Sequence, residues 1–382
     1  MIFHPSIVYR SVYIHWPFCP YKCTFCPFVA IAGQDQFMQQ YHNALIAEIK
    51  LGTQNAPKQS LDTIFIGGGT PSTYPSNLLL DTFGILKDSY QIMPDSEITI
   101  EVNPGTVVPE QLLVWKEIGI NRLSIGVQSL KDKALKDLNR LQTVEQVGEL
   151  ITQASQLFDN LSIDLILGLP GVSADEWKEY VHTVMQWPIS HISIYFLTIH
   201  ENTQLYFKVK KNSVQLPGDS EMIDLYYWTI DCLKQYGFDQ YEISNFARPG
   251  RESRHNTAYW ERKTYNAFGL GACSFDGATR FANEKNLMKY MQLCSEGKSV
   301  HIFSEDLTRE QVRLEKVMLG LRRICGISMH ELIDGLSENQ MRELHRKMDI
   351  MHEQGLIRVI DEQLQLTAKG LALENEIVVQ LT

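Results

Sequence analysis

Along residues 11–197, short apolar runs alternate with stretches whose apolar positions recur every three or four residues. The runs Ser11–His15, Thr63–Ile66, Glu97–Val102, Arg122–Gly126, Ser162–Leu167 and His191–Leu197 predict strands. The stretches Phe37–Leu51, Asn77–Tyr90, Pro109–Ile118, Val144–Phe158 and Asp175–Trp187 predict amphipathic helices between them. In the first, Phe37, Tyr41, Ala44, Leu45 and Ile49 share one helical face; before the last, Ser173 and Glu176 have the spacing of a capping box. Near-continuous apolar strands in β-α succession predict a parallel sheet buried on both faces. Six such units fall short of the eight that close a barrel. The expected architecture is therefore α/β, an open (β/α)6 partial barrel whose interior can be reached from the side.

The pattern changes twice. A long helix, Asp219–Tyr236, follows Pro217-Gly218, and a polar and aromatic stretch, Tyr241–Asn283, comes after it. From about His301 the chain predicts helices at Thr308–Arg323, Met329–Leu336 and Glu338–Glu353, then a two-stranded hairpin within 355–367. Helices followed by a hairpin suggest an α+β, winged-helix-like domain. The expected division is a barrel over 1–218, a connecting region over 219–300 and a terminal domain over 301–382.

Charge bears on that last domain, because winged helices often bind DNA. Residues 301–382 hold 10 Lys/Arg against 14 Asp/Glu, a balance of −4, within a chain of formal net charge −10. Phosphate binding requires the opposite excess, so nucleic acid is not an expected partner. No apolar run reaches membrane-spanning length, and Met1–Arg10 lacks a basic segment followed by an apolar one. No transmembrane segment is expected, and the expected location is the cytoplasm. Three of the seven cysteines are clustered; Cys232, Cys273, Cys294 and Cys325 are scattered, which argues against a disulfide framework.

The clustered ones are Cys19, Cys23 and Cys26, spaced C-x3-C-x2-C directly after the first strand. Thiolates hold iron–sulfur clusters, and three of them leave one iron of a [4Fe–4S] cluster open. An open iron can chelate the amino and carboxylate groups of S-adenosylmethionine (SAM). The alternatives are a zinc site or unrelated buried thiols. With no fourth Cys or His at a usual spacing, a closed zinc site is disfavoured. Other chemistry-bearing residues fall at successive strand ends, where such folds bind ligands. Gly67-Gly68-Gly69-Thr70-Pro71 follows the second strand, and glycine lets backbone approach a ligand closely. Glu101 ends the third strand and can accept from a ribose hydroxyl; Gln128 ends the fourth. Arg140 lies just beyond, where a guanidinium can clamp a carboxylate. Asp164 sits inside the apolar fifth strand, a costly place for an unpaired carboxylate.

The cysteine triplet resembles the signature of the radical SAM superfamily. Together with Tyr13–Phe18, Phe25, Gly67–Pro71, Glu101–Pro104 and Asp164–Pro170, it is similar to oxygen-independent coproporphyrinogen III oxidase and its relatives. The oxidase carries an extra Cys two residues after the third ligand, where this chain has Phe28. His255-Asn256-Thr257-Ala258-Tyr259-Trp260, an H-N-x-x-Y-W run, and Tyr195–Ile199 also resemble the HemW-type heme chaperones. The resemblance implies a partial radical SAM barrel with a winged-helix-like end. It implies cluster ligation by Cys19, Cys23 and Cys26. It implies contacts to SAM or the adjoining cavity from Tyr13, Phe25, Gly68, Gly69, Thr70, Glu101, Gln128, Arg140, Asp164 and Thr198. Two departures stand out, Pro27 after Cys26 and Gln142 after Arg140.

The function implied is binding of heme, a [4Fe–4S] cluster and SAM, with transfer of heme to an acceptor protein. The alternative is radical SAM oxidative decarboxylation of coproporphyrinogen, or another tetrapyrrole modification; a flavodoxin or ferredoxin would then supply electrons for SAM cleavage. His255 is the candidate axial heme ligand, with Tyr259 and Trp260 placed to stack on the porphyrin. The competing reading of this run is structural.

Overall fold

The computed structural model describes residues 7–54 and 56–382. Residues 1–6, which begin the expected first unit and belong to the Met1–Arg10 segment, lie outside the described residues. Six strands form the expected parallel sheet in chain order. They are β1 (Ser11–Trp16), β2 (Gln59–Gly68), β3 (Tyr90–Val102), β4 (Arg122–Gln128), β5 (Leu161–Leu167) and β6 (His191–Phe196). The helices between them run Met38–Thr53, Ser76–Ser89, Pro109–Ile118, Val144–Ala154 and Ala174–Val184. Tyr90, expected at a helix end, instead opens β3. The Val144 and Ala174 helices both begin with capping boxes, Thr143 with Gln146 and Ser173 with Glu176. Each stops three or four residues before the expected end, where the chain turns toward the next strand.

The sheet is wider than the expected six strands. Tyr265–Phe268 pairs parallel with the outer edge of β1, and Cys273–Phe275, Thr279–Asn283 and His301–Asp306 continue antiparallel beyond it. At the other edge, Asn245–Ala247 and Asp239–Glu242 extend β6. These strands have three to six residues and carry little apolar alternation of their own. They exist because a long, already formed edge offers them partners, which a local pattern does not reveal.

One buried core runs from Val12 to Val300, and a second from Val317 to Leu381. The second lies among the helices Arg309–Leu321, Met329–Ile333 and Glu338–Glu353 and a three-stranded sheet of Ile327–Ser328, Gln363–Leu366 and Ile357–Ile360. Helices plus a small antiparallel sheet give the winged-helix-like end.

The barrel strands are apolar on only one face. Ile64, Ile66, Ile98, Ile100, Leu123, Ile125, Ile163 and Leu165 face the helices and are buried. The alternate positions, aligned across the ladder, are largely polar. Thr99 lies opposite Arg122, Glu101 opposite Ser124, and Gly126 and Ser193 flank Asp164. The sheet is largely buried on both faces as expected, but its inner face is buried with polar side chains, which makes the barrel interior a place for polar chemistry. Among the described residues no helix is long and apolar enough to cross a membrane.

Candidate functional site at the carboxyl ends of the barrel strands

The C-terminal ends of the strands enclose a cavity of about 490 Å³. Cys19, Cys23 and Cys26 line it together with Phe25, Gly68, Gly69, Thr70, Glu101, Gln128, Arg140, Asp164 and Thr198. The expected residues therefore converge on one place, with two exceptions. Tyr13 faces an adjoining cavity of about 320 Å³, which shares Phe28, Gly68 and Glu101 with the first. His255 lines neither.

The cysteine loop is built on the glycine run. Gly69 N–H donates to the Trp16 carbonyl at 2.7 Å, and Thr70 N–H to the Phe18 carbonyl at 2.9 Å. A Cβ on Gly69 would stand 2.5 Å from the Pro17 oxygen, and one on Gly68 would meet the His15 ring and the Trp16 oxygen. Gly68 also holds φ +120, which an L side chain rarely adopts. So the glycines first serve close approach of two backbone segments, and the N–H groups of Gly68 and Gly69 are spent inside the protein. Thr70 Oγ1 donates to Cys19 Sγ at 3.2 Å. All three thiols are free; Cys19 is buried and the other two are half-buried. Burial pushes the Cys19 thiol up to about 11, against the pull of the Thr70 hydroxyl. Among the described residues no three His, Cys, Asp or Glu side chains converge tightly enough to hold a single metal ion.

Charge in the cavity is arranged around Arg140. Its Nη1 donates to Asn103 Oδ1 and, at 3.3 Å, to Gln142 Oε1. Asn103 Nδ2 in turn donates to Tyr21 OH at 2.9 Å, and Gln142 Nε2 donates to the carbonyls of Gly126 and Val127, both at 3.0 Å. Gly126 has no side chain to obstruct this: its Cβ would lie 3.4 Å from Arg140 and 2.9 Å from Gln128 Nε2. Arg140 Nε is buried and has no hydrogen-bond partner among the described residues. An unsatisfied guanidinium nitrogen beside a cavity fits a carboxylate ligand. Asn103 lies within the Glu101–Pro104 motif and Gln142 departs from the family pattern, yet their joint role as the frame for Arg140 shows only in three dimensions.

Glu101 Oε2 accepts from Gly68 N–H at 3.0 Å. Burial, with Asp164 nearby, raises its carboxyl to about 8. Asp164 is also raised, chiefly by burial, against the pull of the Ser193 hydroxyl. Gln128 ends β4 with φ +68, a left-handed conformation uncommon for a residue with a side chain. Thr198 sits exposed on the rim.

The H-N-x-x-Y-W run forms a short helix, Arg254–Trp260, that closes the barrel from below. Glu97 of β3 accepts from the backbone N–H groups of Arg254 and His255, at 3.0 Å each. The His255 ring stacks on Phe65, its Nδ1 is 2.7 Å from Thr63 Oγ1, and its Nε2 is 2.8 Å from Tyr259 OH. The residue is 1% exposed. Tyr259 packs edge-on against Tyr265, and the Arg322 guanidinium of the terminal domain lies over the Trp260 ring. In this arrangement both His255 ring nitrogens, expected to offer an axial ligand, are bonded within the protein and neither reaches a cavity. Tyr259 lines the cavity of about 320 Å³ and Trp260 lines another, with its buried indole N–H unpaired among the described residues.

This burial has a consequence for acid stability. Burial lowers His255 to about 3 and His15 to about 4, and lowers His191 well below its usual range. Below pH 6.5 the unfolded chain takes up protons on these rings while the folded chain does not, so stability falls as pH falls from 6.5 toward 4. Thermal melts between pH 7 and pH 5 should show it, and His255→Gln should flatten the slope. Glu101 has the opposite sign. Its raised pKa costs stability as pH rises from about 4.5 to 8, and Glu101→Gln should remove that loss.

Residues 13–184 match the Radical SAM superfamily. Almost the whole chain also superimposes on the solved structure of coproporphyrinogen III oxidase (HemN) from Escherichia coli, described as a radical SAM enzyme. The TM-score is 0.84 at 25% identity, covering 99% of this chain and 91% of that one. Heme chaperone HemW of Bacillus subtilis is 32% identical over 96% of this chain and 98% of its own length. The chain belongs to the HemW-type family of the radical SAM superfamily. Heme chaperone HemW of Synechocystis is 34% identical over 84% of this chain and 80% of its own. Membership of this family accounts for the mixed α/β barrel and for a terminal domain that matches HemN along with it.

Proposed function

We propose that this chain is a heme chaperone on a radical SAM scaffold, with Cys19, Cys23 and Cys26 as ligands of a [4Fe–4S] cluster. The observation that carries the reading is the convergence of three free thiols, the unsatisfied Arg140 nitrogen and the half-buried Glu101 on one cavity, in a chain whose relatives are named heme chaperones. Three thiols lining one cavity suit a cluster in which each takes a different iron. When bound, the cluster offers an open iron to the amino and carboxylate groups of SAM. Arg140, held by Asn103 and Gln142, binds that carboxylate. Glu101 orients the ribose hydroxyls, while Asp164 and Gln128 fix the remaining polar edge. Thr70 steadies Cys19 as a thiolate. Heme is the cargo, and an acceptor protein in the cytoplasm is the partner.

A second reading, coproporphyrinogen oxidation with an external electron donor, is favoured by the structural likeness to HemN over 99% of the chain. Phe28, where the oxidase has a cysteine, counts against it. One anaerobic experiment separates them. Reconstituted protein with reductant and SAM is given coproporphyrinogen III or heme, and the products are resolved by chromatography. The expected result is retained heme and no protoporphyrinogen IX, in a preparation shown to bind SAM. Substantial conversion would make the chain an oxidase.

A further inference from the structure

With His255 closed off, the heme iron needs another ligand. His15, His42, His191 and His255 are all buried with both ring nitrogens engaged. His200 differs. It lies in the loop after β6, exposed, lining the cysteine cavity, and no hydrogen bond, ion pair or ring contact engages its imidazole among the described residues.

Its backbone is nonetheless anchored. The His200 carbonyl accepts from Thr203 Oγ1 at 2.7 Å, Thr203 caps the helix Gln204–Lys210, and Leu205 N–H donates to the Thr24 carbonyl of the cysteine loop at 2.9 Å. The ring therefore stands on fixed chain beside the cluster loop, with its nitrogens open.

The same rim is apolar where a macrocycle would lie. Phe28 is 65% exposed and Phe196 40% exposed, and both line this cavity. Exposed aromatic side chains grouped at a cavity mouth mark a binding surface rather than a solvated one. Lys22, also on the lining and exposed, has an ammonium with no partner among the described residues, which suits a propionate. The other large cavity near the short helix is lined by as many acidic as basic side chains, already paired in part with one another, and no histidine lines it.

We propose that His200 is the axial ligand of a heme seated across the mouth of the cysteine cavity, its ring face on Phe28 and Phe196 and a propionate on Lys22. An imidazole nitrogen lone pair forms the bond to iron and displaces water; no other bond changes. This rests on the heme-chaperone reading above.

The test titrates hemin into the full chain and follows the Soret band and the spin state. His200→Ala, a surface change, should weaken binding tenfold or more and abolish the imidazole-ligated spectrum. Free imidazole should restore that spectrum, and His200→Met should give a shifted but still ligated band. Lys22→Glu should weaken binding with the spectrum unchanged. A wild-type spectrum and affinity in His200→Ala would overturn the proposal while leaving the chaperone reading intact. Wild-type protein that takes no hemin would overturn both.

Discussion

Replacing any one of Cys19, Cys23 and Cys26 by alanine should remove most of the iron acquired on anaerobic reconstitution, together with the broad visible absorbance of the cluster. The three thiols sit on a loop pinned at both ends. Thr70 bonds Cys19, and Leu138 and Leu205 bond the backbone of Thr24. A missing thiolate leaves an iron without a protein ligand, and nothing nearby can stand in: Cys273 lines the neighbouring cavity, and Cys232 and Cys294 are buried in the barrel core. Alanine at Cys232, Cys273, Cys294 or Cys325 should leave iron unchanged. Iron assay and absorbance check both halves. A triple alanine variant that kept its full iron would remove the assignment.

Gly69→Ala should be nearly as damaging, for a reason that has nothing to do with ligation. The added methyl would stand 2.5 Å from the Pro17 oxygen and 2.8 Å from the Phe18 oxygen. Both contacts are backbone, so no side chain can swing aside, and they lie immediately before Cys19. Relief requires the glycine run and β1 to part, which breaks the Gly69 and Thr70 hydrogen bonds. Overpacking of this kind costs about 1–3 kcal/mol. It should lower the melting temperature and also impair loading of the cluster. Gly84→Ala and Gly148→Ala are the controls. Both glycines are helical with nothing within 4 Å of the new methyl, so alanine should be neutral or stabilise by about 0.4–1 kcal/mol. Thermal melts of the three variants decide it. Equal losses in all three would refute the steric account.

Much of the candidate site was legible because its residues sit at strand ends, and strands are visible in short apolar runs. Glu101 and Gln128 fell into place for that reason, and Asp164 because a carboxylate inside an apolar strand stands out. His255 did not, although the run that holds it was recognised. A histidine beside Tyr and Trp has the same local appearance whether it faces a ligand or fills a barrel floor. The difference lies in Thr63, Phe65 and Glu97, more than 150 residues away. His200 passed unnoticed for the converse reason. Its value lies in having no partner, and sequence displays neighbours, not vacancies among them.

By itself the sequence determined the six-stranded parallel barrel, the helices that cover it, the terminal helical domain with its hairpin, and the cysteine triplet after β1. These depend on local periodicity and spacing, which act over a few residues and survive in any context. Tertiary structure alone decided three further things. It added the flanking strands, because runs of three to six residues pair only where a long edge already exists. It made the inner barrel face polar, because register places Glu101 beside Ser124 and Asp164 between Gly126 and Ser193. And it closed His255 while leaving His200 open, because the availability of a nitrogen lone pair depends on which distant groups fold against it.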